Sequence, residues 1–268
     1  IVIKDDRGSN VTLTKYPQRI VTLGSCFTEI LFLINASGQV VGVDDLSDFP
    51  AGAASKSNVG SYVDLDLNKI LALSPDLVIT WAHATATIDS LESNDLAVLA
   101  FEPDAIGDIM YLIQTLGRAT GKEDRAEQVL IGMEAMVEDV LTKVGEFDDA
   151  DKPTVYVELT KGDGASPGAG TLIDDMIFLA GGMNINTYHG YSLIESAIVV
   201  ASDPDFIILE VQNNNTDSDI EDRPGWNSIS AVEEGNIERI DGALLAPGPR
   251  AIYALVQLAT WFYPDLFD

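Results

Sequence analysis

The feature that most limits the fold is a repetition placed on either side of one long helix. Leu67–Trp81 reads LNKILALSPDLVITW and Ile194–Glu210 reads IESAIVVASDPDFIILE. In each, a short amphipathic helix stops at a Ser-Pro-Asp or Asp-Pro-Asp turn and a continuous apolar run follows, the signature of a parallel strand buried on both faces. A second pair lies upstream: RIVTLGSCFTEILFLINASG from Arg19 and TVYVELTKGDGASPGAGTLIDDMIFLAGG from Thr154. Each reads as strand, small-residue loop, apolar helix and glycine.

Between the two copies, Glu123 to Val144 carries apolar residues at Ala126, Val129, Leu130, Met133, Met136, Val137, Val140, Leu141 and Val144. That is the i, i+3, i+4, i+7 stripe of one buried helical face. Glu123 and Asp124 suit the positive end of the helix dipole and Lys143 the negative end, with Gly145 as the expected C-cap. At 1.5 Å per residue the rod is roughly 33 Å long. The expected fold is therefore α/β: two Rossmann-like β/α lobes joined by a single long helix. An N-terminal lobe is expected over residues 1–122, a linking helix over 123–147 and a C-terminal lobe over 148–268.

Charge narrows the partners. Against 15 Lys and Arg stand 43 Asp and Glu, a net charge of −28, which repels nucleic acid and anionic lipid headgroups. The acids are spread along the whole chain, as on the solvated surface of a protein from a salt-adapted organism. A single cysteine, Cys26, excludes an internal disulfide and a multi-cysteine metal cluster. No segment has the roughly 18 to 20 apolar residues that span a bilayer. The chain begins at Ile1 without a methionine, so a trimmed leader is expected. Asn10, Asn35 and Asn214 open glycosylation-type triplets that would suit an exported protein but also occur by chance.

In chain order, Ile1 to Tyr16 reads as a small hairpin turning at Asp6-Arg7-Gly8, and Thr28 as the N-cap of the first helix. Polar loops follow the strands at residues 44–50, 59–62 and 81–84 in the first half, and at 162–170 and 184–191 in the second. In open α/β sheets, the carboxyl ends of parallel strands are where ligands bind.

At this point a resemblance can be read. Arg19 to Ile30, Val41 to Pro50, Gly60 with Leu67 to Ile79, Gly170 to Asp175, Ala180-Gly-Gly, Arg223 to Val232 and Pro247 to Ile252 together resemble the periplasmic binding proteins for cobalamin and iron complexes. The resemblance covers nearly the whole chain. It implies a substrate-binding component of an ABC importer, with the ligand held between two lobes and a membrane permease as partner. An extracytoplasmic monomer, periplasmic or anchored at the outer face of the membrane, is expected, with no enzymatic activity and no cofactor of its own.

The ligand-contacting candidates are Tyr62, Trp81 and His83 from the first lobe and His189, Tyr191, Trp226 and Arg250 from the second. Tyr62 falls where cobalamin binders of the family carry a cleft tryptophan, and Tyr191 near a second-lobe aromatic. Aromatic faces suit flat chelates. Trp81 could equally cap the core, the two histidines could be ordinary surface residues, and Arg250 could pair with one of the many carboxylates. A free metal ion would need three or more clustered ligands, so no metal site is expected. The set is aromatic and poor in cations, which places corrinoids first, neutral or cationic iron chelates (siderophore or haem) second and small oxyanions last. The acids by which the family meets its permease align with Asn68 and Ala197, so Asp64, Asp66 and Glu195 are expected to take over docking. Two other readings remain: a sensor or receptor module of the same fold, and a chelatase-like enzyme. For the latter, Cys26 at a helix start is the sole nucleophile candidate, without any fixed cysteine–histidine signature.

Overall fold

The structure is a computed structural model and describes residues 1–145, 151–161, 165–213 and 216–267. The contact pattern divides the chain into two compact units. One comprises Ile1–Pro103 with Gly107–Met133, the other Asp104–Ile106 with Glu134–Asp268.

In the first unit the strands are β1 (Val2–Lys4), β2 (Asn10–Thr12), β3 (Ile20–Leu23), β4 (Val40–Val43), β5 (Ser57–Asn58), β6 (Leu77–Trp81) and β7 (Val98–Phe101). Helices α1 (Ser25–Leu33), α2 (Leu67–Ala72), α3 (Thr85–Glu92) and α4 (Ile106–Thr120) connect them. The sheet order is β5-β4-β3-β6-β7, with every pairing parallel. Because side chains alternate across a strand, Val21 and Leu23, Val78, and Val98 and Ala100 reach one face together. There they form a fully buried cluster with Val59, Ile70, Ile88 and Leu91. β1 and β2 make the antiparallel hairpin read from the sequence.

Helix α5 (Glu123–Val144) has the predicted bounds, and Gly145 follows in the left-handed region at φ 63°. Ala126, Met133, Val140 and Val144 of the predicted stripe are buried, whereas Leu141 is 46 % exposed. The division between the two units falls within α5, after Met133.

The second unit has β8 (Thr154–Glu158), β9 (Ala165–Pro167), β10 (Met183–Asn184), β11 (Tyr191–Leu193), β12 (Phe206–Glu210) and β13 (Ile237–Ile240). Its helices are α6 (Leu172–Leu179), α7 (Ser196–Ser202), α8 (Asp217–Glu221), α9 (Ser230–Glu234), α10 (Gly242–Leu245) and α11 (Ala251–Phe262). The parallel order β10-β8-β12-β13 repeats the plan of the first unit, and β9 with β11 forms a separate antiparallel ribbon. Tyr156, Ile207 and Leu209 bury one sheet face against Val199, Ile220, Trp226 and Ile229. Within this unit Glu158 is wholly buried, and Arg223 grips it with two guanidinium bonds of 2.6 and 2.8 Å. The Arg223 guanidinium also lies 4.4 Å over the Trp226 ring. A buried charge of this kind is tolerable only with its partner in place.

Two features differ from the sequence reading. Thr28 is not the N-cap of α1: the helix starts at Ser25 after Gly24, and Thr28 is buried inside its first turns. Thr28 instead belongs to a buried chain of hydroxyls, with Oγ1 2.6 Å from Thr22 Oγ1 and 2.7 Å from Ser47 Oγ. Ser47 in turn donates to the Asp44 carboxylate. This chain ties the loop after β4 to the start of α1. The loop at 162–170 lies partly, and the Asn214 triplet partly, outside the described residues.

Burial pushes the Asp44 carboxyl up to about 6, the Ser47 hydrogen bond offsetting only part of the effect. The folded chain thus keeps a proton that the unfolded chain has released, so this group's contribution to stability falls as pH rises from about 4 to about 6. Asp44→Asn keeps an acceptor for Ser47 and removes the penalty. Its stability relative to the parent, by urea unfolding at constant salt, is expected to rise across that window by roughly 2 to 3 kcal/mol. A flat difference would contradict the burial argument. A second prediction concerns the α4–α5 corner, where a Cβ on Gly117 would come 2.6 Å from the Ala126 Cβ. Gly117→Ala should lower the unfolding midpoint, because overpacking of about 1 to 3 kcal/mol outweighs the gain of about 1 kcal/mol in helix propensity.

Candidate functional site

Parallel strands bring all their carboxyl ends to one edge, so in the first unit Gly24, Asp44 to Pro50, Gly60 to Asp66, Trp81 to Ala84 and Glu102 lie along a single rim. Three of the predicted ligand residues come together there. The His83 ring lies 5.4 Å from that of Tyr62, edge to face at 80°, and 6.1 Å from that of Trp81, nearly parallel at 20°. Trp81 is backed by Phe27 at 4.8 Å, so its inner side belongs to the core while it stays partly exposed. Trp81 thus packs on the core with one side and keeps the other open to solvent. Gly24 makes this possible. Its φ of 154° falls in the range glycine favours, and a Cβ there would meet the Trp81 Nε1 and the Phe27 ring at 2.8 Å. Tyr62 is fixed through its carbonyl, which accepts from Thr87 Oγ1 at 2.6 Å.

Residues missed in the sequence complete this rim. Glu102, beyond the end of β7, holds His83 by its Nδ1 at 2.6 Å and by its backbone N–H at 3.1 Å. Leu46 and Val63 stand out at 66 % and 78 % exposed. No periodicity points to them, because each lies in a loop whose burial depends on what covers it.

In the second unit, His189 and Tyr191 are presented by a loop braced by two asparagines. Asn186, buried, donates to the Ser166 carbonyl at 3.0 Å and accepts from the Tyr188 N–H at 3.1 Å. Asn184 donates to the Pro167 carbonyl and to Asp174, both at 3.0 Å. Gly168 and Ala169 exchange backbone bonds with Tyr188 and Gly190 of this loop, and His189 and Tyr191 remain exposed along with Tyr188. Tyr188 was not singled out in the sequence, where it is one more aromatic in a polar loop.

Trp226 is a correction. It is 2 % exposed, donates through Nε1 to Ser196 Oγ and meets Tyr156 edge to face at 5.8 Å. The turn that carries it looks like an exposed loop in sequence, but the Glu158–Arg223 pair draws it inward as a core residue of its unit. Arg250 sits at the start of α11, half-buried. The Asp241 carboxyl is held below its ordinary value chiefly by the Ala243 N–H, then by Gln212, with a smaller contribution from the charge of Arg250. Arg250 thus has a carboxylate neighbour within its own unit.

Of the proposed docking acids, Asp64 and Glu195 are exposed. Asp66 has a structural task, capping α2 through the Lys69 N–H at 3.1 Å and pairing with the Lys69 ammonium at 3.4 Å. Cys26 is fully buried, and burial holds its thiol far above its ordinary value, the opposite of what a nucleophile needs. Among the described residues, no three His, Cys, Asp or Glu side chains cluster so as to hold a metal ion. No helix among them is long and apolar enough to cross a membrane.

Comparison with known proteins bears on the family and the fold. An uncharacterised ABC transporter substrate-binding lipoprotein of Bacillus subtilis is 26% identical, covering 100% of this chain and 87% of its own length. A cobalamin-binding protein of Halobacterium salinarum is also 26% identical, over 97% of this chain and 73% of that one. Among solved structures, the periplasmic heme-binding protein RhuT from Roseiflexus sp. RS-1, in apo form, superposes with a TM-score of 0.79 at 25% identity, covering 94% of this chain and 99% of that one. The family described as periplasmic binding protein, whose members bind rather than transform their ligands, matches residues 20–244. The chain belongs to the periplasmic binding protein family.

Proposed function

We propose that this protein is the extracytoplasmic substrate-binding component of an ABC importer that captures a flat metal chelate and delivers it to a membrane permease. The observation that carries the reading is the Tyr62–Trp81–His83 cluster on the strand-end rim of the first unit. Two aromatic rings and an imidazole, rimmed by Leu46 and Val63, offer apolar contact area with no cationic side chain among them. Such a surface matches the face of a corrinoid or porphyrin and offers little to a small oxyanion, which needs convergent N–H or arginine donors. The names of the relatives, one a cobalamin-binding and one a heme-binding protein, lie in the same chemical class. Cobalamin-like corrinoids come first and iron chelates second. Within the second unit, the exposed His189 and Tyr191 are the candidate ligand contacts, and Arg250, with Asp241 beside it, is a lesser one. The protein works as a monomer, held at the outer face of the membrane.

Of the three tryptophans, Trp81 alone belongs to this cluster, so it should report binding. Titration with cyanocobalamin, haem and ferric siderophores is expected to quench fluorescence saturably at micromolar or lower concentration for at least one tetrapyrrole. Trp81→Phe should abolish most of the signal. Saturable binding of molybdate or ferric citrate, with no response to any tetrapyrrole, would overturn the assignment. Docking is tested separately. In proteoliposomes containing the cognate permease and ATPase, Asp64→Lys combined with Glu195→Lys should reduce uptake severalfold and leave ligand affinity unchanged, as expected for acids facing transporter arginines. Asp66→Lys should in addition lower the unfolding midpoint through loss of the α2 cap.

A further inference from the structure

His83 is held in a way that ordinary surface histidines are not. Its Nδ1 lies 2.6 Å from Glu102 Oε2, and its own backbone N–H donates to the same oxygen. Glu102 is itself fixed, because its backbone N–H donates to Asp6 Oδ2 at 2.8 Å. Asp6 is anchored in turn by its N–H to the Ala100 carbonyl at 3.0 Å. A carboxylate only accepts, so Nδ1 carries a proton, and in the neutral imidazole the lone pair is on Nε2. The Nε2 atom has no hydrogen-bond partner among the described residues, and the side chain is 52 % exposed. The nearly parallel Trp81 ring and the edge-on Tyr62 ring fix the plane of the imidazole.

An imidazole oriented by a carboxylate on one nitrogen, with the other nitrogen open, is how proteins prepare a histidine for a metal. A bare ion would need further protein ligands, and no cluster of three is present among the described residues. A single donor therefore suits a metal whose other positions are filled by its own chelate. We propose that His83 Nε2 coordinates the metal of a planar tetrapyrrole complex that has an exchangeable axial position, with Glu102 and Asp6 as positioning residues. The Nε2 lone pair forms the coordinate bond, the axial water leaves, the proton stays on Nδ1 and the metal keeps its oxidation state. This deepens the chelate-capture reading and rests on it. It makes His83 the residue that separates complexes with a free axial position from saturated ones that can only stack on Trp81 and Tyr62.

The test uses the full chain with ferric protoporphyrin and aquocobalamin as probes, and cyanocobalamin and metal-free protoporphyrin as controls. Visible absorption reports the axial ligand, and Trp81 quenching reports occupancy. The parent protein is expected to shift the absorption bands of at least one probe with an open axial position. His83→Ala should remove that shift and weaken the probe about tenfold or more, a clearly larger loss than the same variant shows for metal-free protoporphyrin, which loses only ring contact. Free imidazole should restore the shifted spectrum. Glu102→Gln should keep the shift but weaken binding of the same probe by about tenfold, as loss of an outer partner does. Identical spectra and affinities for the parent and His83→Ala, with saturable quenching in both, would overturn the coordination while leaving chelate capture standing. Absence of binding by every tetrapyrrole would overturn both.

Discussion

The uniform direction of the five strands in the first unit's sheet is the constraint on which its candidate site depends. Parallel pairing from Ile20–Leu77 to Trp81–Phe101 sends every strand's carboxyl end to the same edge. Residues far apart in sequence then share one rim: Gly24, Ser47, Tyr62 and Glu102 follow four different strands and Trp81 ends the fifth. Had one strand run the other way, its loop would have left the rim and the cluster would have lost a member. The cost of that direction is that no tight hairpin can connect the strands, so each needs a crossover. Two of the four crossovers, those carrying α2 and α3, supply the apolar lid over Val21, Val78 and Val98.

On that rim, apolar and polar forces act at different depths. Phe27 and Trp81 bury ring faces, and directly beside them the Thr22–Thr28–Ser47–Asp44 chain satisfies its own hydroxyls out of water. The aromatic contacts fix where Trp81 sits. The hydroxyl chain fixes the loop that carries Leu46. The two together present an apolar surface on a rigid support, which lowers the ordering entropy a ligand must overcome on binding.

Much of this was legible in the sequence, and the reason is periodicity. The strand at Ile20–Leu23, the helix at Glu123–Val144 and the hairpin at Asp6–Gly8 each follow from local patterns of apolar spacing or turn residues, and the structure places them accordingly. Tyr62, Trp81 and His83 were legible as loop residues after predicted strands, though not as one cluster, since their approach depends on tertiary packing. Trp226 was misread because its turn is polar and contains Pro224 and Gly225; its partners inside the unit, Ser196 and Tyr156, lie 30 and 70 positions away. Thr28 was misread for a similar reason. A threonine near a helix start looks like a cap, and only the fold brings Thr22 and Ser47 to its hydroxyl as other partners. Long-range hydrogen bonds of this kind leave no mark in a local window.

The N-terminal turn also does something for the outer side of β7. On that side the Val98 carbonyl accepts from Arg7, the Ala100 N–H donates to Asp5 and its carbonyl accepts from Asp6, and the Glu102 N–H donates to Asp6. Each of these outward backbone groups is thereby occupied by a turn that is not a strand. An edge strand left bare is a template on which another chain can add itself. Here the template is filled by carboxylates and a guanidinium, so a second copy meeting this margin finds charge where it would need a vacant ladder. Resistance to edge-to-edge aggregation is thus built into three consecutive residues, Asp5, Asp6 and Arg7, and a protein truncated before Gly8 would expose the edge and lose it.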